Sequence, residues 1–441
     1  MSEKPMYRLQ AANRKKKRGR FWAILIAILV LVLALLGAGL YFLTPDDVKS
    51  SIQATKDQPV SLNVDATSAV VIDLTSGQVL GEKDANKQAP IASESKMLVA
   101  YGVLKAIESN QLKWTDLVTV PANADLSAQN ADAISHLNMK TGDKLSVRDL
   151  YWAMFTNSAN DAALTLTAAL TKPGQTAQQT LESLASDLNL KGTAWYNGAG
   201  LTNGDSYNNN EVTSASDSAA NHASAMQVAE IAKKIMTMDP TLKTVTASPT
   251  ITYTKNKTVK VTETSDFGQG FANIVKGLDN ENGLKILGLK TGSTPEAGAC
   301  FTGYVVDQQG HEFLTVVNNA ADYTDTKQRF QTTIDMVNQV LAKKKAYTYT
   351  LGKQLTNHKT VGVDGESKSV DVQVAASKTY WTSPKKSLKI QSLKDLKSRP
   401  DDKSTDVVTY AKPELKANFL PGLSDTDKEI PLQVLTATAK K

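Results

Sequence analysis

The stretch "APIASESKMLVAYGVLKAIE", Ala89–Glu108, decides how the chain is read. Ser93 stands three residues ahead of Lys96, at the mouth of a helix-like run in which Leu98, Val99, Val103, Leu104 and Ile107 recur at spacings of three and four. Residues three apart share one face of a helix, so the Ser93 hydroxyl and the Lys96 amine are expected to be neighbours. The N-terminal end of a helix also favours developing negative charge. The pair suits a serine nucleophile with a lysine to take its proton. Ser-x-x-Lys is a short pattern, however, and recurs at Ser383–Lys386, where Pro384 and an all-β setting make a poor helix start.

Two more segments add context. "KLSVRDLYWAMFTNSANDAALTLTAALT" reads as two helices broken at Thr156–Asn160, with Ser146 and Asp149 as a capping-box-like start. The break carries Ser158-Ala159-Asn160, so a hydroxyl and an amide can be aimed into a cleft. "LKILGLKTGST" reads as an apolar strand ending in Lys290-Thr291-Gly292, where an amine can bind a substrate carboxylate and the strand edge can hold a peptide backbone. Other Ser-x-Asn triplets (Ser61–Asn63, Ser206–Asn208) and a second Lys-Thr-Gly (Lys140–Gly142) lack such settings and read as turns.

In this order the three motifs are those of penicillin-binding proteins and class A β-lactamases. The chain resembles the low-molecular-mass penicillin-binding proteins of the D-alanyl-D-alanine carboxypeptidase type. "VVIDLTSGQVL" is similar to that family's opening hairpin, "LSVRDLYWAMFTNSANDAA" and "LGLKTGSTPEAGACFTG" to two signature regions, and "NHASAMQVAEIAKKIM" to a fourth segment. The resemblance runs from about Ser68 to Ala342. It implies an α+β, β-lactamase/penicillin-binding-protein-like catalytic domain, an antiparallel sheet flanked by helices. It further implies Ser93 as nucleophile and Lys96 as its general base, which requires a neutral amine. Ser158 and Asn160 would shuttle protons and hold the substrate amide. Lys290, Thr291 and Gly292 would bind the terminal carboxylate, and the backbone N–H groups of Ser93 and Ser293 would form the oxyanion hole. Ser293 stands where relatives often carry an aromatic residue or His. The implied substrate is a peptidoglycan stem peptide, the implied inhibitors are β-lactams, and no cofactor or metal is expected.

Two rivals remain. A class A β-lactamase needs a deacylating Glu, but none of Glu182, Glu211, Glu230, Glu263 and Glu281 begins the usual Glu-x-x-Leu-Asn pattern. A non-catalytic wall-binding protein with a degenerate site is disfavoured because every motif residue is present. His222 is read as structural. His136, His311 and His358 show no triad order or metal spacing. Cys300, the single cysteine, excludes an internal disulfide and reads as a buried filler.

The remaining chain sets location and layout. Composition is globular, with 41% hydrophobic and 21% charged residues. Residues 1–20 hold eight basic residues and one acid, so the net charge of +6 leaves −1 for the rest. Basicity is a tail property and gives the folded part no case for nucleic acid. "FWAILIAILVLVLALLGAGLYFL", Phe21–Leu43, runs 23 residues without a charge, enough to cross a bilayer, with aromatic residues at both ends. Gly37–Gly39 offers a signal-peptide cleavage site, but the length favours an anchor. The expected layout is a cytoplasmic tail (1–20), one N-terminal transmembrane helix (21–43), a linker (44–63), an extracellular catalytic domain (64–345) and a small C-terminal all-β domain (346–441), the whole seated on the cytoplasmic membrane. Between the motifs, helices are expected at 177–188 and 224–238, a long Asn-, Ser- and Gly-rich surface loop at 197–224, a hairpin at Gln308–Gly310 and a helix near 326–342.

Overall fold

Strand β2 (Ser68–Asp73) is buried along its whole length, and its two faces serve two cores. Val70 and Ile72 face a helical layer on one side, and Ala69 and Val71 face a second layer on the other. Such double burial is why the segment reads as a continuous apolar run. β2 turns into β3 (Val79–Lys83) through Thr75-Ser76-Gly77, where Gly77 takes φ +73° and Asp73 Oδ1 accepts from the Thr75 and Ser76 amides. In this computed structural model the described residues are 57–130, 133–207, 210–246, 248–264, 269–401 and 404–435. The basic tail, the 21–43 stretch and most of the 44–63 linker lie outside them. Among the described residues no helix is long and apolar enough to cross a membrane.

The central sheet has the order β1-β3-β2-β12-β11-β10. β1 (Val60–Ser61) pairs parallel to β3, so ordered structure begins inside the segment expected to be a linker. β10 (Lys285–Thr294), β11 (Gly298–Val306) and β12 (Glu312–Asn318) form an antiparallel meander that closes on β2. Small two-stranded pairs flank it: β4 (Gln88–Pro90) with β7 (His222–Ser224), β5 (Leu117–Thr119) with β6 (Lys144–Ser146), and β8 (Thr250–Lys255) with β9 (Val259–Thr264).

On one face lie α1 (Lys96–Glu108), α2 (Val147–Thr156), α3 (Asn160–Leu170), α4 (Ala177–Asp187) and α5 (Ala225–Met238). The three- and four-residue spacing of apolar residues over Leu98–Ile107 predicts an amphipathic α1. It is instead buried almost all round, from Lys96 to Leu104, because other helices enclose it. The starts of α2 and α5 are fixed by side chains: Ser146 accepts from the Asp149 amide, and Ser224 and Gln227 form a capping box. Short helices α6 (Leu242–Val245) and α7 (Gln269–Lys276) follow. α8 (Gln328–Leu341) covers the other face of the sheet, packing Phe330, Ile334 and Val337 with Phe301, Phe313 and Val317.

The C-terminal part carries strands β13 (Lys345–Tyr349), β14 (Thr360–Val361), β15 (Val370–Val374), β16 (Lys378–Thr382), β17 (Ile390–Leu393), β18 (Thr409–Pro413) and β19 (Ile430–Val434). β13 pairs with β16, and the others form a sheet ordered β14-β15-β19-β18-β17. From Asp57 onward the chain forms one compact unit. The tie is Trp381 on β16. It sits in the same core as Phe313, its indole N–H donates to Asp73 Oδ2 at 2.8 Å, and its backbone is bonded twice to the Gln78 amide.

Candidate active site

The site is built on the turn before α1. Ala92–Ser95 form a single tight 3-10 turn, held by the Ser95 hydroxyl donating to the Ala92 carbonyl. Ala92 adopts φ +45°, a left-handed conformation that costs a non-glycine residue about 1–3 kcal/mol. Ser93, the next residue in the turn, is half-buried.

Lys96, fully buried, brings distant segments together. Its Nζ lies 2.7 Å from each of Ser93 Oγ, Asn160 Oδ1 and the Ala199 carbonyl oxygen. Asn160 Oδ1 and the Ala199 carbonyl can only accept. A neutral amine has two N–H donors and one lone pair. With both donors directed to those fixed acceptors, the lone pair is left for the Ser93 hydroxyl, the one partner of the three that can donate. The arrangement therefore suits proton removal from Ser93.

The second lysine meets the other end of the α2–α3 break. Lys290 Nζ, also buried, is 2.8 Å from Ser158 Oγ and 2.9 Å from the Thr291 carbonyl. Ser158 has φ +51°, a second left-handed non-glycine residue. Ser158 and Asn160 thus stand two residues apart on one loop, each hydrogen-bonded to a different lysine. Asp161 holds the loop down. Its buried carboxylate accepts from the amides of Leu137 and Met139, and burial pushes its pKa up to about 6.

Strand β10 lies directly beside the Ala92–Ser95 turn. A β-carbon on Gly292 would fall 2.6 Å from the Ile91 carbonyl oxygen, so only glycine permits this approach. Arg329 of α8 fixes the strand from behind, donating to the Gly292 carbonyl at 2.8 Å and the Cys300 carbonyl at 3.1 Å. Thr291 is half-buried, and Ser293 is exposed one residue past Gly292. Cys300 is fully buried beside Ala92 and Ala297, and burial raises its thiol pKa well above the usual range, which fits a filler.

Three contributors escaped the sequence reading. The Ala199 carbonyl belongs to the segment expected to be a surface loop, yet Asn197, Asn203 and Asn221 there are buried. Their amides replace strand pairing: Asn197 Oδ1 accepts from the Gly200 and Leu201 N–H groups, and Asn221 Nδ2 donates to the Asn197 carbonyl. Glu94 lies inside the first motif but points away from the groove, and Arg329 lies outside every motif. Gly200 has φ +81°, and a β-carbon on it would lie 1.9 Å from the Ala92 carbonyl oxygen. Gly200→Ala should therefore destabilise the protein by about 3 kcal/mol or more and displace both the Ser93 turn and the Ala199 carbonyl. Chemical denaturation measures the first effect, and the Lys96 Nζ–Ser93 Oγ and Lys96 Nζ–Ala199 distances in a structure of the variant measure the second.

Comparison with known proteins supplies the family and the fold. The model of the D-alanyl-D-alanine carboxypeptidase family, peptidase S11, matches residues 52–322. D-alanyl-D-alanine carboxypeptidase DacD of Escherichia coli (strain K12) is 27% identical over 263 residues, 59% of this chain and 60% of DacD. The chain thus spans well under two thirds of that relative's length. Among solved structures, a peptidoglycan synthesis regulatory factor (PBP3) from Streptococcus pneumoniae aligns with a TM-score of 0.68 at 21% identity, over 85% of this chain and 99% of that one. Penicillin binding protein 5 from Haemophilus influenzae aligns with a TM-score of 0.57 at 19% identity, over 86% and 98%. These two likenesses establish the penicillin-binding-protein-like α+β fold. With the family model matching more than half of its length, the chain belongs to the D-alanyl-D-alanine carboxypeptidase family.

Proposed function

We propose that the protein is a membrane-anchored serine-type D-Ala-D-Ala carboxypeptidase acting on peptidoglycan stem pentapeptides. The observation that carries the reading is the placement of Lys96 Nζ among Ser93 Oγ, Asn160 Oδ1 and the Ala199 carbonyl, each at 2.7 Å. Ser93 Oγ attacks the carbonyl between the two terminal D-alanines while Lys96 takes its proton. The backbone N–H groups of Ser93 and Ser293 receive the oxyanion. The C–N bond then breaks, and the proton passes by way of Ser158 to the leaving amine, so that D-alanine departs. Water next cleaves the Ser93 ester and restores the hydroxyl. Lys290, supported by Thr291 and Gly292, binds the terminal carboxylate of the substrate. β-Lactams enter by the same attack, their ring amide standing in for the scissile peptide.

The uncharged stretch 21–43 behind a basic tail supports an N-terminal anchor with the tail cytoplasmic and the catalytic part outside. Residues 64–345, joined by β1 at Val60–Ser61, are the proposed catalytic part, and residues 346–441 a small β-rich C-terminal part tied to its core through Trp381. The test is D-alanine release from a pentapeptide ending in D-Ala-D-Ala by the full-length protein in detergent. Release by the parent, and none above background with Ser93→Ala, is expected. Absence of release by the parent, or equal release by the variant, would overturn the reading.

A further inference from the structure

Glu94 follows the nucleophile directly, and its side chain runs the opposite way, into the interior, where it is 1% exposed. Its Oε1 accepts from Thr302 Oγ1 at 2.5 Å, and its Oε2 has no hydrogen-bond partner among the described residues. Thr302 is the cross-strand partner of Lys290 in the β10–β11 register. The carboxyl therefore ties the Ser93 turn to the strand pair that carries the second lysine. Four groups face it from the elements packed around it. These are Thr302 and the Cys300 thiol on β11, Lys290 on β10 and Arg329 on α8. Arg329 is itself committed to the Gly292, Cys300, Tyr323 and Asp325 carbonyls, and its Nε has no hydrogen-bond partner among the described residues. Among the described residues Glu94 forms no ion pair, so it stands in the field of Lys290 and Arg329 without direct contact to either charge.

A purely structural tether at this place would be served as well by an amide, without the cost of burying an ionisable group. What a carboxyl adds is a charge that can be switched on beside Lys290. We propose that Glu94 is a positioning residue for substrate binding. As a neutral acid bonded to Thr302 it holds the nucleophile turn against β10–β11, and when ionised it offsets the field with which Lys290 attracts the substrate carboxylate. This rests on the carboxylate-binding role proposed for Lys290. Burial pushes the pKa of Glu94 up to about 8, against the lowering effects of Thr302, Lys290 and Arg329. The proton is thus held at neutral pH and lost in the mildly alkaline range.

The experiment measures KM and kcat for the pentapeptide with the full-length parent, Glu94→Gln and Thr302→Val between pH 6.5 and 9.5. In the parent, KM should rise about tenfold through an inflection near pH 8, with kcat changing much less; tenfold corresponds to one pKa unit of interaction between neighbouring charges. Glu94→Gln keeps the shape and the bond from Thr302 but cannot ionise, so its KM should stay flat. Thr302→Val removes a hydrogen bond that favours the ionised form, so the inflection should move to higher pH. A pentapeptide ending in an amide instead of a carboxylate should show no Glu94-dependent step. Equal pH dependence of KM in the parent and Glu94→Gln, or the same step with the amide, overturns the inference while D-alanine release still stands. If Glu94→Gln does not fold, an unmoved inflection in Thr302→Val overturns it. Absence of release by the parent at every pH overturns the proposed function, and this inference with it.

Discussion

Lys96→Met should slow acylation of Ser93 by about a thousandfold or more while leaving the fold in place, since the general base proposed here would contribute about 10²–10⁴-fold and its loss also removes the nitrogen that lies against the serine hydroxyl. Methionine fills the buried volume of the lysine stem without an amine. The Asn160 Oδ1 and Ala199 carbonyl left behind would each lose a donor, so some stability loss, about 1–3 kcal/mol, should accompany the catalytic defect. Lys96→Arg separates the two effects. A guanidinium can still donate to both acceptors but keeps its proton throughout the accessible pH range, so it cannot take one from Ser93. Acylation should stay close to the methionine level even though the hydrogen bonds are kept. Recovery of parental rates by arginine would assign Lys96 a purely structural role. Stopped-flow acylation with a chromogenic β-lactam, paired with urea denaturation, reads rate and stability separately.

Trp381→Ala carries the largest expected loss of stability, about 4 kcal/mol or more. The indole is 2% exposed and packs against the rings of Phe313 and His311, with centroids 5.3 Å and 5.0 Å away. Truncating a buried tryptophan costs about 3–5 kcal/mol, and stranding the Asp73 Oδ2 acceptor adds to that. Asp73 also anchors the β2–β3 turn through Thr75 and Ser76, so the damage should spread into the central sheet. Trp381→Phe retains most of the ring and loses only the N–H, and about 1–3 kcal/mol is expected. Both values come from denaturant midpoints at constant m. A loss confined to the C-terminal strands, with the catalytic part melting as in the parent, would contradict the view that β16 belongs to the catalytic core.

The motifs that build the site were legible because their chemistry is local. Ser93 and Lys96 lie within one turn, and the break at Ser158–Asn160 falls between two apolar helical runs. The strand ending at Gly292 is announced by an apolar run. Long-range placements were not legible. Nothing in "KTYWTS" tells that Trp381 crosses back to Asp73. Nothing in the acid of "SESK" tells that it points inward rather than capping a helix. The polar composition of the Asn-rich segment points to a solvated loop, whereas several of its amides bond its own backbone in the interior. The β8–β9 pair leaves little signal in the sequence. Its strands are Thr-rich, and in β8 only Ile251 and Tyr253 are buried, so half of the usual apolar signal is missing. The N-terminal anchor, read from an uncharged run of sufficient length, lies beyond the described residues.

One measurement reaches the proposed chemistry with the fewest intermediaries. The full-length protein is mixed with a penicillin, digested, and the modified peptide is located by mass spectrometry. A stoichiometric adduct on Ser93, missing from Ser93→Ala and formed far more slowly by Lys96→Met, is the expected result. An adduct on any other residue, or none on a protein shown to be folded, would contradict the assignment of Ser93 as the nucleophile.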